Sequence, residues 1–258
     1  MQPTHLEPIG ATVTDVSVGE LDADTVDRLA QLLAERGVLI LPDQPVDDDH
    51  FLAFLRSFGP LTFTKGETPV DGYPDLNVVS NVGRTTPPRS NFHVDTTYVR
   101  EPPAYTALRA VRVPQRGGET LFTDQYAVYE ALPATLREEL ADSVVTHVVT
   151  GVELDPGDEH EAQHPLFCRH PISGRTALYL TTPARCVAVS GLTDADGREL
   201  IATLYEFATR EEHVLRHGWA PGDVVIWDNR CVMHRADHLG VNGDRILHRG
   251  LVAPSALT

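Results

Sequence analysis

The chain has 258 residues, 41% apolar and 22% charged, which suits one β-rich domain over 1–258 with a sizeable core. Its 37 acidic residues against 21 basic ones leave a net charge of −16, which argues against nucleic acid as a partner because phosphate binding needs a basic surface. No apolar run nears the roughly 18 residues of a membrane span, no secretion signal opens the chain, and the scattered Cys168, Cys186 and Cys231 form no disulfide framework; a cytoplasmic setting away from membranes is expected.

Asp22 or Asp24 caps a first helix, whose apolar stripe is Val26, Leu29, Ala30 and Leu33 and whose stop is Gly37. Val38 to Leu41 reads as a buried strand. A second helix runs from about Asp48, with Phe51, Phe54, Leu55 and Phe58 on one face and Gly59 after it. From Leu61 to Asn91 the text is loop-like around a short strand, Asn77 to Ser80. Tyr105 to Val113 is a predicted strand, and Gly117-Gly118 turns into another, Thr120 to Thr123. Helical text at Tyr126 to Leu132 and Pro133 to Leu140 precedes a strand at Val144 to Val149. Gly151 to His164 is acidic and turn-rich. The segments near 62–91 and 151–164 are therefore read as lids. A strand at Arg175 to Leu180, a helix from about Asp194, a strand at Val224 to Trp227 after Pro221-Gly222-Asp223, and a last strand at Arg245 to Val252 complete the pass. Strands outnumber helices without βαβ alternation, which fits a mainly β double-sheet jelly roll with flanking helices.

Within this frame, His93-Val94-Asp95 puts two metal-binding side chains at i and i+2. On extended backbone these share a face, because strand side chains alternate with period two. An imidazole from the distant His234 would complete a two-histidine, one-carboxylate facial triad, the arrangement of non-haem iron(II) oxygenases, with three positions open. Such chemistry with 2-oxoglutarate also needs a cation for the cosubstrate's far carboxylate. Arginine suits it, since its planar fork binds a carboxylate bidentately and stays charged. In Arg245-Ile-Leu-His-Arg249 the two arginines share a strand face, roughly 13 Å apart at about 3.3 Å per residue. An outward face with solvated arginines fits that spacing equally well. The pairs His160/His164 and His234/His238 would chelate zinc only on helices, and both lie in turn-rich text. His147, alternating with valines, reads as a core or edge histidine with a hydrogen-bond partner.

Several longer stretches carry a resemblance. Gly10-Ala-Thr-Val-Thr-Asp-Val16, Glu35-Arg-Gly-Val-Leu-Ile-Leu-Pro-Asp-Gln44 and Gly117-Gly-Glu-Thr-Leu-Phe122 are three of them. His164-Pro-Leu-Phe-Cys-Arg-His-Pro-Ile-Ser-Gly174 is a fourth. The most specific is Trp219-Ala-Pro-Gly-Asp-Val-Val-Ile-Trp-Asp-Asn-Arg230 followed by His234. Together they resemble the taurine dioxygenase family of Fe(II)- and 2-oxoglutarate-dependent oxygenases over nearly the whole chain.

The resemblance implies a double-stranded β-helix core, iron on His93, Asp95 and His234, and the far carboxylate of 2-oxoglutarate on Arg245 and Thr120. It places Arg249 at the substrate's anionic group or beside 2-oxoglutarate, and Trp227 and Asn229 in the wall of the metal pocket. The expected reaction uses O2 to oxidise an unactivated C–H bond of a small, anionic molecule and releases succinate and CO2. Asn91, Lys65, Arg89 and Arg249 are the candidate substrate contacts, and homo-oligomers are common in the family. Phe92 stands where the family often has tryptophan. Leu61 to Pro69 lacks the histidine-rich pattern of taurine users, which points away from taurine. The alternatives are a zinc hydrolase on the same residues or a sensor that holds 2-oxoglutarate without turnover.

Overall fold

The computed structural model describes residues 1–84 and 90–254. Its main feature is a large sheet whose two faces are sorted by period-two alternation. Across the sheet the strands run Thr4–His5, Ala11–Thr12, Val38–Leu41, Val224–Asp228, Tyr105–Arg112, Ile246–Val252, Tyr73–Ser80 and Pro69–Val70. Leu61–Thr62 also pairs with Ile246–Val252. All pairings are antiparallel except that of Ala11–Thr12 with Val38–Leu41.

Leu39 and Leu41, Tyr105 and Ala107, and Val224 and Ile226 face outward into a core shared with two helices. Their neighbours Val38 and Ile40, Leu108 and Ala110, and Val225 and Trp227 face inward. The helices Ala23–Arg36 and Asp48–Phe58 cover the outer face. Asp22 caps the first, accepting from Thr25 N at 2.8 Å, and Asp47 caps the second, accepting from His50 N at 3.0 Å. Both were legible from their apolar stripes, and Leu29, Leu33, Phe51, Phe54 and Leu55 are buried as those stripes require.

A second sheet, Val214–His217, Thr120–Asp124 and Val232–Ala236, faces the inner side of the first. A third, Glu161–Pro165, Val144–Val148 and Cys186–Val189, packs with the helix Asp194–Ala208 in a separate core. This is a mainly β, two-layer arrangement with helices outside. No described helix is long and apolar enough to cross a membrane.

Several strands depart from the sequence reading, which assigned none at Cys186–Val189 or Val214–His217. Tyr73–Ser80 is twice the expected length. Glu161–Pro165 occupies the end of what reads as a loop, because Glu161, Gln163 and Pro165 sit on the exposed face while Ala162 and His164 are buried. Val232–Ala236 is a strand although its text is turn-rich, since pairing with Thr120–Asp124 fixes it.

His147 also differs from expectation. It is fully buried, and among the described residues neither ring nitrogen has a hydrogen-bond partner. The rings of His164 and Tyr179 lie 5.1 and 5.8 Å away. Burial, with His164 adding to it, pushes the His147 pKa down to about 3. The unfolded imidazole titrates near 6.5, so below that pH the unfolded state binds a proton that the folded state refuses. Stability should therefore fall from about pH 6.5 toward about pH 3, by at most about 1.4 kcal/mol per pH unit from this residue. In thermal melts at descending pH, His147→Phe should show a shallower decline than the parent; an identical decline would assign the effect elsewhere.

Candidate metal centre and cosubstrate pocket

His93 and His234 meet as an isolated antiparallel bridge between otherwise separate segments. Each backbone N–H donates to the other's carbonyl at 2.9 Å, and the imidazole rings lie 4.4 Å apart. Val94 turns away into the third-sheet core, its N–H held by Thr181 Oγ1 at 3.3 Å. Asp95 then returns to the same side as His93. One carboxylate oxygen is 3.6 Å from His93 Nε2 and the other 3.7 Å from His234 Nε2. One ligand atom from each residue fits within a span of 4.8 Å, and no other group of three metal-capable side chains does so among the described residues.

The protonation states suit a cation. His93 Nδ1 lies 2.9 Å from the Asn91 carbonyl, so a proton there leaves the Nε2 lone pair facing the centre. Burial holds His234 down at about 3, against the pull of Asp95, so the imidazole is neutral. Burial alone would raise the Asp95 pKa, but Arg249 and the two imidazoles outweigh it and keep the carboxyl well below its usual range.

A relay behind the carboxylate was not legible in the sequence. Thr106 Oγ1 donates to Asp95 Oδ2 at 2.9 Å and accepts from Asn229 Nδ2 at 2.8 Å. Asn229 Oδ1 in turn accepts from Trp227 Nε1 at 3.1 Å, and the Trp227 ring lies 4.5 Å from that of His234. Thr106 and Trp227 are direct partners in the strand register, which aligns the chain of donors. Partners of this kind orient a ligand, and losing one typically costs about 10- to 100-fold in metal affinity. Thr106→Val keeps the shape and removes the donor, so ferrous iron affinity should fall by about that factor in an anaerobic titration. Unchanged affinity would show that Arg249 alone orients Asp95.

Arg245 is only 1% exposed, and among the described residues no carboxylate pairs with it. Its Nε donates to the Gly118 carbonyl at 2.8 Å and one Nη to Thr120 Oγ1 at 3.1 Å. Burial lowers its pKa to about 10. Gly118 is required here: its φ is +79°, and a Cβ would stand 3.0 Å from Arg245 Cδ. Thr120 Oγ1 also accepts from Trp219 Nε1 at 3.0 Å, which leaves its single proton free to donate. Arg245, Thr120, Arg249, His93 and His234 all line one cavity of about 180 Å³, with Trp227 in its wall. A buried guanidinium without an anion is costly, so the pocket is suited to a carboxylate that also reaches the metal ligands.

Arg249 has a different environment. Its Nε donates to Asn77 Oδ1 at 2.9 Å, and its Nη atoms lie 3.0 Å from Glu67 Oε1 and 3.4 Å from Asp95 Oδ1. Lys65 pairs with Asp155 at 2.6 Å and with Asp158, apart from the metal ligands. Asn91 lines a further cavity beside His93, and Arg89 lies outside the described residues. His164 Nε2 is 2.8 Å from the Thr97 carbonyl.

The family model for the taurine catabolism dioxygenase TauD, TfdA family matches residues 2–251. The chain is 36% identical over 281 residues to the alpha-ketoglutarate-dependent 2,4-dichlorophenoxyacetate dioxygenase of Cupriavidus pinatubonensis, covering 98% of this chain and 97% of that protein. It is 32% identical to the alpha-ketoglutarate-dependent sulfate ester dioxygenase of Pseudomonas putida, over 95% of this chain and 86% of that one. The crystal structure of a taurine dioxygenase from Burkholderia xenovorans superposes with a TM-score of 0.86 at 30% identity, over 98% of this chain and 91% of that one. The chain therefore belongs to the TauD, TfdA family of alpha-ketoglutarate (2-oxoglutarate)-dependent dioxygenases, enzymes with a jelly-roll core that use Fe(II), 2-oxoglutarate and O2 on small molecules.

Proposed function

We propose that His93, Asp95 and His234 hold Fe(II), that Arg245 and Thr120 hold the far carboxylate of 2-oxoglutarate, and that the substrate is a small anionic molecule. The single observation that carries this reading is the buried, anion-free Arg245 in the same cavity as the two histidine ligands. With its cosubstrates the metal supplies the oxidant that attacks an unactivated C–H bond, while 2-oxoglutarate is converted to succinate and CO2. The chain's own residues do the rest. Thr106, Asn229 and Trp227 fix Asp95, Trp227 alone of the three walls the pocket, the Asn91 carbonyl orients His93, and Arg249 bridges Asp95 to Glu67. A zinc hydrolase on the same ligands would leave the Arg245 charge without a role.

The anionic substrate rests on two relatives, named for 2,4-dichlorophenoxyacetate and for a sulfate ester. Taurine is not expected, for want of histidines in Leu61 to Pro69. We read the irregular stretches within 62–91 and 151–164, outside the strands Tyr73–Ser80 and Glu161–Pro165, as lids of one domain, tied together by Lys65 with Asp155 and Asp158; 85–89 lie outside the described residues. Three free cysteines support a reducing cytoplasm, and the net charge of −16 speaks against nucleic acid. A homo-oligomer is proposed on the family resemblance. The test is O2-dependent formation of succinate from 2-oxoglutarate with a panel of aryloxyacetates and alkyl sulfates. Stimulation by at least one anion is expected; no succinate under any condition would overturn the reading.

A further inference from the structure

Two cavities meet at His93. Next to the pocket that holds Arg245, a cavity of about 300 Å³ opens beside His93, and Ser90 and His93 line both. Thr150, Thr182, Ala184 and Arg185 form much of its wall, and no acidic side chain is among its lining residues. Arg185 is firmly mounted there. Its N–H donates to the Thr182 carbonyl and its own carbonyl accepts from Val148 N, both at 2.8 Å. Its Nε donates to Thr150 Oγ1 at 2.9 Å. Among the described residues no carboxylate pairs with its guanidinium, so its two Nη groups keep their charge for something else. Arg249 is the opposite case, because Asp95 and Glu67 already neutralise it.

We propose that Arg185 is the anion anchor of the substrate site. It would receive the carboxylate, sulfonate or sulfate group of a compact substrate, with the hydroxyls of Thr150 and Thr182 as further donors. Because His93 lines the same cavity, the oxidised carbon of such a molecule lies a short spacer away from its charge. Specificity for anions then comes from a residue at the edge of the third sheet, and Arg249 serves Asp95. This inference rests on the dioxygenase reading above.

The test uses the full-length protein loaded anaerobically with Fe(II) and 2-oxoglutarate, whose weak visible absorption reports the assembled centre. Phenoxyacetate and hexyl sulfate are titrated against it, with phenoxyacetamide and hexanol as uncharged counterparts. At least one anion should perturb the absorption of the parent protein. Arg185→Gln should weaken that anion by on the order of 10- to 100-fold while leaving its neutral counterpart unchanged, and Arg185→Lys should recover part of the loss. Ala184→Glu, an exposed position, should weaken the anion as well by placing a carboxylate beside Arg185. The proposal is overturned if neither anion perturbs the parent, or if Arg185→Gln leaves the anion unaffected or weakens both members of a pair equally. Absence of the absorption in the parent would instead overturn the dioxygenase reading itself.

Discussion

Replacing Arg245 by methionine should leave the cosubstrate-free protein as stable as the parent or more so, while nearly abolishing 2-oxoglutarate binding. The side chain is 1% exposed, its only hydrogen-bond partners among the described residues are the Gly118 carbonyl and Thr120 Oγ1, and no carboxylate offsets its charge. Taking that charge out of the interior removes a desolvation penalty, and exchanges of buried ionic groups for apolar ones are often neutral or stabilising by about 1–4 kcal/mol. Binding responds the other way. Losing one partner of a buried charge pair costs about 2–5 kcal/mol, which is roughly 30-fold or more in Kd. Thermal melts with and without 2-oxoglutarate, with Mn(II) present to prevent turnover, read both effects. The parent should be stabilised by the ligand and Arg245→Met should not. A variant that melts lower yet still gains stability from 2-oxoglutarate would show that Arg245 is a structural residue.

Asp95→Ala has the second large effect expected. It removes one of the three proposed ligands and leaves Arg249 Nη1, now 3.4 Å from a carboxylate oxygen, facing two imidazoles with only Glu67 left to offset its charge. A cation would then meet a guanidinium in place of an anion. Iron affinity and succinate formation should both fall by more than the roughly 10- to 100-fold expected for loss of the Thr106 donor. The rank order Asp95→Ala, then Thr106→Val, then the parent, measured as iron affinity, distinguishes a ligand from a residue that orients it. Equal losses for the two variants would contradict that division of roles.

His234, Arg245 and Thr120 were legible chiefly through the family resemblance, and the proposed ligands His93 and Asp95 because they depend on local spacing. His93 and Asp95 share a face through the i, i+2 rule, and Arg245 and Thr120 follow from motifs that stand almost unbroken in the chain. The helices were legible for the same reason, since their stripes and caps are local. What stayed hidden depends on register and on distant contacts. Thr106 reaches Asp95 because Tyr105–Arg112 pairs with Val224–Asp228 so that Thr106 opposes Trp227, and no single strand records that alignment. The Glu67 contact with Arg249 joins the segment before Tyr73–Ser80 to the last strand. Arg185 lies just before Cys186–Val189, and its place beside His93 becomes visible only when the third sheet meets the metal-bearing segment. Glu161–Pro165 was obscured because Glu161, Gln163 and Pro165 occupy one face of a strand and so mimic a solvated loop.

One cavity brings the two histidines of the proposed metal centre together with a buried arginine suited to 2-oxoglutarate. Anaerobic titration of the metal-free protein with Fe(II) and then 2-oxoglutarate tests this arrangement most directly, by following the weak visible absorption of their joint complex. The expected result is a saturable band that His234→Ala abolishes and Arg245→Met weakens. Tight zinc binding with no band at any 2-oxoglutarate concentration would rule out the iron and 2-oxoglutarate site and favour a hydrolytic metal site.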